Sequence, residues 1–296
     1  MPEPIIAIIF DCDDTLCPDT ISFVLKQFDI DPAQFWKEVD IRVKDGWDPP
    51  QAYMQRILEH VQRGEIKKLT RRKLRNIGKD MPLFPGIPNL FEELRQFVSS
   101  NRDLRKARIS LEFYLISGGL EEVVRGGQLR RYVNGIVGCN FAHDTRTRIP
   151  IAVKSTVSFT EKTRFVFAIN KGISLEDART NPYLVNDSIK ESERRIPFKN
   201  MIYIGDGPSD IPCLSLITKN GGEGVGVSPQ AQTFKKGYEM ARGERITVGP
   251  YTADYRKGTD MRKVLEQIIL TKGLEIAVET RKRVVSAPKH DQDNNK

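Results

Sequence analysis

Residues 5–10, Ile-Ile-Ala-Ile-Ile-Phe, are apolar without alternation, the pattern of a short strand buried on both faces, as in a parallel sheet. The run ends in acids: Asp11, Asp13 and Asp14. From Asp19 to about Asp80 the period becomes helical. Ile21, Val24, Leu25 and Phe28 hold one face; Pro32 opens a helix carrying Phe35, Trp36 and Val39. Pro50 sits in the first turn of another helix, with Tyr53, Ile57 and Val61 on one side. No strand pattern interrupts this segment. Pro88 to Ser99 reads as a helix with Leu90, Phe91, Leu94 and Phe97 inward, followed by a polar connection to Lys106.

A second strand, Ile109 to Ile116, ends at Ser117-Gly118-Gly119, and a helix follows from Leu120. Residues 133–153 read as short strands and turns. Ser158 and Glu161 fit a capping box opening a helix to about Lys171. Residues 172–198 are a polar surface excursion. A third strand, Met201 to Ile204, runs into Gly205-Asp206-Gly207-Pro208-Ser209-Asp210, followed by a helix over 211–217, a strand over 224–227 and a helix from Thr259 to about Val284. The polar residues 286–296 are expected to be a disordered tail. Strands alternating with helices predict an α/β fold: a Rossmann-like parallel sheet core flanked by helices, with an inserted helical segment. Ligands of such sheets sit beyond the carboxyl ends of the strands. Asp11/Asp13, Ser117-Gly118 and Asp206/Asp210 all fall there.

Composition narrows the function classes. The 296 residues are 39% hydrophobic and 29% charged, and no apolar stretch approaches the roughly 20 residues of a membrane span. The N-terminal residues have no basic segment of a secretory signal. Cys12, Cys17, Cys139 and Cys213 form no metal-binding spacing and predict reduced thiols in a cytoplasmic protein. Only three histidines occur, so a histidine base is not expected. The net charge of +8 suits an anionic partner. The basic run Lys67 to Arg75 reads as a solvated helix face backed by Ile66, Leu69, Leu74 and Ile77. No aromatics interleave it, so nucleic acid is not the expected partner.

The acids at the strand ends define the candidate chemistry. Four carboxylates on one rim require a cation, and oxygen ligands of this kind suit Mg²⁺. An ionised Asp can then act as a nucleophile, and a second carboxylate two residues on can move protons. Ser117-Gly118-Gly119 offers amides and a hydroxyl at a helix start, and Lys162, in the first turn of the 158–171 helix, adds positive charge. Together these are the parts of an electrostatically stabilised phosphoryl-transfer site. Alternation along an extended chain turns Asp14 and Cys12 away from it, Asp14 as a turn residue and Cys12 as a small buried one.

As a set, these segments resemble the haloacid dehalogenase superfamily. Phe10 to Leu16 is similar to its first motif, Leu115 to Gly119 to its second in the form found in phosphoserine-phosphatase-like members, and Gly205 to Asp210 to its fourth. The resemblance implies an α/β hydrolase core over 1–16 and 85–285, with residues 17–84 where the family places its helical C1 cap. It implies Asp11 as nucleophile and Asp13 as general acid/base. It implies Mg²⁺ held by the Asp11 side chain, the Asp13 backbone carbonyl and Asp206, with Asp210 assisting through water. Ser117, Gly118 and Lys162 would hold the phosphoryl oxygens. Lys154 and Lys171 compete for the lysine role, but Lys154 precedes the helix-start signals and Lys171 lies at the far end. Where phosphoserine phosphatases carry a Glu for the substrate amine, this chain has Thr20, with Asp19 adjacent. The expectation is therefore a Mg²⁺-dependent phosphatase for a small phosphorylated metabolite. The alternatives are a phosphomutase or phosphotransferase, a non-catalytic phosphate-ligand-binding protein, and a phosphatase for nucleic-acid ends.

Overall fold

The structure, a computed structural model, describes residues 2–230, 243 and 245–286. Of the expected tail only Ser286 falls within the described residues; 287–296 lie outside them. Strand β1 (Ile5–Phe10) is buried along its whole length. It is followed by helices α1 (Thr20–Lys26), α2 (Pro32–Lys44), α3 (Pro49–Gln62) and α4 (Arg71–Lys79), then α5 (Asn89–Ser100) and α6 (Arg102–Lys106). Next come β2 (Ser110–Leu120), α7 (Glu121–Gly126), β3 (Gly135–His143), β4 (Pro150–Ser155), α8 (Phe159–Lys171) and α9 (Leu175–Thr180). The chain continues through β5 (Met201–Gly205), α10 (Ile211–Lys219), β6 (Glu223–Ser228) and β7 (Val248–Thr252), and ends in α11 (Asp260–Ser286).

The strands form one seven-stranded sheet in the order β4-β3-β2-β1-β5-β6-β7, parallel except for the antiparallel β3–β4 pair. β1 lies between β2 and β5, with Phe10 in register with Leu115 on one side and Ile204 on the other. The chain leaves β1 in one direction and returns on the other side through β5. That is the topological switch point, where a crevice opens beyond the strand ends. An unalternating β1 follows from this position, since helices cover both faces of the sheet.

Local chemistry fixes the helix starts of the inserted segment. Asp19 accepts from the Ile21 and Ser22 amides at 3.0 and 3.3 Å, and Asp31 from Ala33 and Gln34, with Pro32 next. Thr70 caps α4 by accepting from the Lys73 amide. The basic run is therefore helical only from Arg71; Ile66 and Leu69 are buried in the extended approach to it.

Several boundaries differ from the expectation. β2 runs through Ser117-Gly118-Gly119 to Leu120, with irregular pairing beyond Ile116, because the Gly119 amide bonds back to Ser117 Oγ and keeps the chain extended. The following helix starts at Glu121. Ser158 precedes α8 without a side-chain cap bond, since Glu161 pairs with Arg164 instead. The polar connection after α5 contains α6, capped by Asn101. β7 contains Gly249 and Pro250, residues that hide a strand from pattern reading, and lies at a sheet edge where Pro is tolerated. The 172–198 excursion is mostly exposed but is pinned by buried Leu175, Ala178 and Ile196.

Candidate active site

Asp11 directly follows β1, and its amide donates to the Ile204 carbonyl of β5 at 2.9 Å. The acid is thereby fixed at the switch point, and it is 4% exposed. A tight turn follows: the Leu16 amide donates to the Cys12 carbonyl and the Asp14 amide to the Cys17 carbonyl, with Asp14 at φ +54°. That left-handed conformation breaks the alternation on which the sequence expectation rested. Asp14 is a turn residue as expected, yet it lines the same cleft as Asp11 and Asp13 and does not lie away from it. Cys12 is fully buried, as expected.

Asp13 accepts from the Thr20 amide at 2.6 Å and from the Ser117 hydroxyl at 3.4 Å. Ser117 is itself buried behind the cleft wall, while Gly118 and Gly119 line it. A Cβ on Gly119 would stand 2.7 Å from both Asp13 Oδ2 and Thr20 Oγ1, so only glycine lets β2 pass this close to Asp13.

Lys162, one turn into α8, is 1% exposed. Its Nζ lies 3.0 Å from Asp11 Oδ1 and 2.7 Å from Asp210 Oδ1 and donates to Ser209 Oγ at 3.3 Å. Of the three competing lysines, this is the one that reaches the strand ends. Lys154 is exposed on β4, and Lys171 donates to the Val185 and Asp187 carbonyls. Asp210 is fully buried: its Oδ1 also accepts from the Tyr203 hydroxyl at 2.8 Å and its Oδ2 from the Gly207 amide. Gly205 makes room for it, because a Cβ there would lie 2.4 Å from Asp210 Oδ2. Asp206, next to β5, faces the cleft.

The acids are in electrostatic conflict. Burial, then Asp210, pushes Asp11 up to about 7. Burial, then Asp210, Asp11 and Asp14, pushes Asp206 up to about 9. Burial and Asp19 push Asp13 up to about 6. Burial opposes the charge on Lys162, but Asp11 and Asp210 overcome it and hold the ammonium above its ordinary value. One lysine does not balance this much carboxylate. One carboxylate oxygen each from Asp11, Asp206 and Asp210 lies within 4.8 Å of the others. Convergent, buried, oxygen-only donors carrying excess negative charge fit a hard divalent cation such as Mg²⁺. The Asp13 carboxylate is outside this cluster, turned toward Thr20 and Ser117.

The cleft encloses about 290 Å³. Its other wall comes from the inserted helices: Asp19, Ile21, Trp36 and Tyr53. The Tyr53 hydroxyl donates to the Gly118 carbonyl at 2.8 Å, and the Trp36 indole donates to Asp19 Oδ2 at 2.9 Å. Helical spacing marks both aromatics as inward-facing but carries no signal that inward means the strand ends. Tyr203 was legible only as a strand residue.

No family model matches this sequence. A protein of Borreliella burgdorferi described only as uncharacterized is 30% identical over 236 residues, covering 73% of this chain and 79% of its own. A HAD-family hydrolase from Salmonella enterica serovar Typhi superposes with a TM-score of 0.54 at 15% identity, over 90% of this chain and 72% of that one. A phosphoserine phosphatase in a phospho-aspartyl intermediate analogue state gives 0.51 at 14% identity, over 89% and 98%. A probable phosphoserine phosphatase from Vibrio cholerae gives 0.53 at 14% identity, over 94% and 68%. The fold is that of the haloacid dehalogenase (HAD) hydrolases, phosphatases among them. The chain belongs to one family with the Borreliella burgdorferi protein. Among the described residues no helix is long and apolar enough to cross a membrane.

Proposed function

We propose that this protein is a Mg²⁺-dependent phosphatase for a small phosphorylated metabolite, working through an aspartyl-phosphate. The observation that carries this reading is the convergence of Asp11, Asp206 and Asp210 around buried Lys162 at the switch point, with Asp13 beside them. Asp11, Asp206, the Asp13 backbone carbonyl and, through water, Asp210 would hold Mg²⁺, which supplies charge neutralisation for the phosphoryl oxygens. Lys162 and the Gly118 amide, with Ser117 supporting this end of β2 by accepting from the Gly119 amide, would hold the remaining oxygens. An Asp11 carboxylate oxygen attacks phosphorus and the ester P–O bond breaks. Asp13 gives its proton to the leaving alkoxide. Water then attacks the phosphorus of the acyl phosphate, Asp13 takes back a proton, and inorganic phosphate leaves with Asp11 regenerated. A pKa of Asp13 raised to about 6 suits a group that must alternate between acid and base.

Residues 17–84 act in this reading as a cap over a core of 1–16 and 85–285, and Trp36, Tyr53 and Ile21 face the leaving group. Excluding water there strengthens the electrostatics of transfer. Both Asp19 oxygens are already occupied by helix-capping and by Trp36, which argues against a substrate amine as its partner. The four cysteines are buried, and the Cys12 and Cys17 thiols lie 3.5 Å apart as a hydrogen-bonded pair. Phosphate release from an aryl phosphate and a metabolite panel tests the reading, with Mg²⁺ or chelator, in wild type and Asp11→Asn. Release that needs Mg²⁺ and disappears in the variant is expected. Isomer formation without free phosphate would instead make it a mutase.

A further inference from the structure

Outside the Asp11 cleft, two cavities of about 290 and 510 Å³ share Arg125 and Arg130 in their walls and so lie side by side, the two parts of one groove. Its floor is α7 and the turn after it; one wall is α4. Arg71, Arg75 and Lys79 lie at successive i, i+4 positions of α4 and all line the groove. A helix rises about 6 Å over four residues, so they form a row of cations at roughly that interval. Like charges at i, i+4 cost helix stability, which a purely structural face would avoid.

The groove's carboxylates do not balance this row. Glu122 is taken by Arg75 at 2.5 Å, with Arg71 at 3.8 Å. Glu121 is taken by Arg125 at 2.5 Å and by the Gly138 amide and Asn140, and Glu176 by Arg179. The side chains of Lys79, Arg130, Arg131 and Lys154 then have no ion pair or hydrogen bond among the described residues. Unpaired cations around a concave surface focus their field into it. The groove's aromatic residue, Tyr132, has its ring stacked on Phe91 at 5.7 Å and is not a free platform for bases.

We propose that this groove binds a linear chain of phosphate groups, whether inorganic polyphosphate or the backbone of single-stranded nucleic acid, through charge and without reading bases. This lies beyond the phosphatase reading and does not depend on it. The sequence showed Lys67–Arg75 only as a charged face; α7 and its turn supply the opposing cations that make it a groove.

The test is fluorescence anisotropy with labelled polyphosphate and with a labelled single-stranded oligonucleotide of mixed sequence, in chelator so that neither is turned over. Four unpaired cations predict a log affinity against log salt slope of roughly −3 for the oligonucleotide. The double variant Lys79→Glu/Arg130→Glu should lose affinity at least about tenfold and flatten the slope. The charge-matched double variant Lys37→Glu/Lys219→Glu, at exposed positions elsewhere, should keep most of it. Binding of both probes supports a phosphate-chain site, and binding of one identifies the source. Absence of binding to either probe at low salt, or equal losses in the two variants, overturns the proposal. Thermal melting of both variants confirms that each is folded.

Discussion

The Tyr53 hydroxyl donates to the Gly118 carbonyl at 2.8 Å across 65 residues of chain, tying an inserted helix to the end of β2 on the cleft wall. In Tyr53→Phe the Gly118 carbonyl loses this bond and keeps the weaker one it accepts from Cys139 Sγ at 3.2 Å. The variant should lose about 1 kcal/mol of stability in urea unfolding. In steady-state kinetics KM should rise more than kcat falls, because the contact holds the insert against this strand end and touches no reacting atom. An unchanged KM would show that this tie does not shape the cleft.

Among the described residues Lys162 is the sole cation paired with Asp11 and Asp210, so Lys162→Met strands two buried carboxylates. Removing one partner of a buried pair costs roughly 3–5 kcal/mol. The loss should be smaller in acid, where Asp11, raised to about 7, is protonated, and should be partly restored by Mg²⁺. Phosphate release should fall by at least about a hundredfold. Denaturant midpoints at pH 5 and 8, with and without Mg²⁺, read all three effects.

Much of the fold was legible because β1, β2 and β5 are buried on both faces and each ends in a polar cluster. Their order was not legible: β1 lies between β2 and β5, out of chain order. β7 was hidden by Gly249 and Pro250, and α6 by its polar sequence. At the site, Asp11, Asp13, Asp206, Asp210 and Lys162 were visible in the sequence, and the structure brings Lys162 between two of the acids. Asp14 was misjudged because alternation holds only for extended backbone, and its φ of +54° is invisible in a sequence. Trp36 and Tyr53 show the same limit: periodicity gives a helix's inner face but not what that face meets.

The strand-end acids also set a pH signature. Asp11, Asp13 and Asp206 are raised from an ordinary 3.8 to about 7, 6 and 9. The folded protein therefore keeps protons that the unfolded chain has lost, and these groups make metal-free stability fall as pH rises from about 4 towards 9. A divalent cation needs Asp11 and Asp206 deprotonated, so it binds and stabilises more strongly at higher pH. The thermal midpoint in chelator should drop between pH 5.5 and 8, and the increment from added Mg²⁺ should grow over that range. An equal increment at both values would contradict cation binding by these acids.

Gly119→Ala isolates Asp13. The new Cβ would lie 2.7 Å from Asp13 Oδ2 and Thr20 Oγ1, displacing the carboxylate while leaving Asp11, Lys162 and Asp206 in place. A substrate whose leaving group needs a proton should slow far more than an activated aryl phosphate. Equal losses on both would mean that the substitution damages the site generally.

The most direct test of the central claim is covalent. With an aryl phosphate as substrate, Asp13→Asn should form the acyl phosphate but hydrolyse it slowly, since departure of an aryl oxide needs little proton donation. Borohydride reduction after a rapid quench converts such an intermediate to homoserine, which peptide mass spectrometry locates. Homoserine at position 11, dependent on both substrate and Mg²⁺, is the predicted result. Phosphate turnover with position 11 unmodified, or with another residue labelled, would contradict the account.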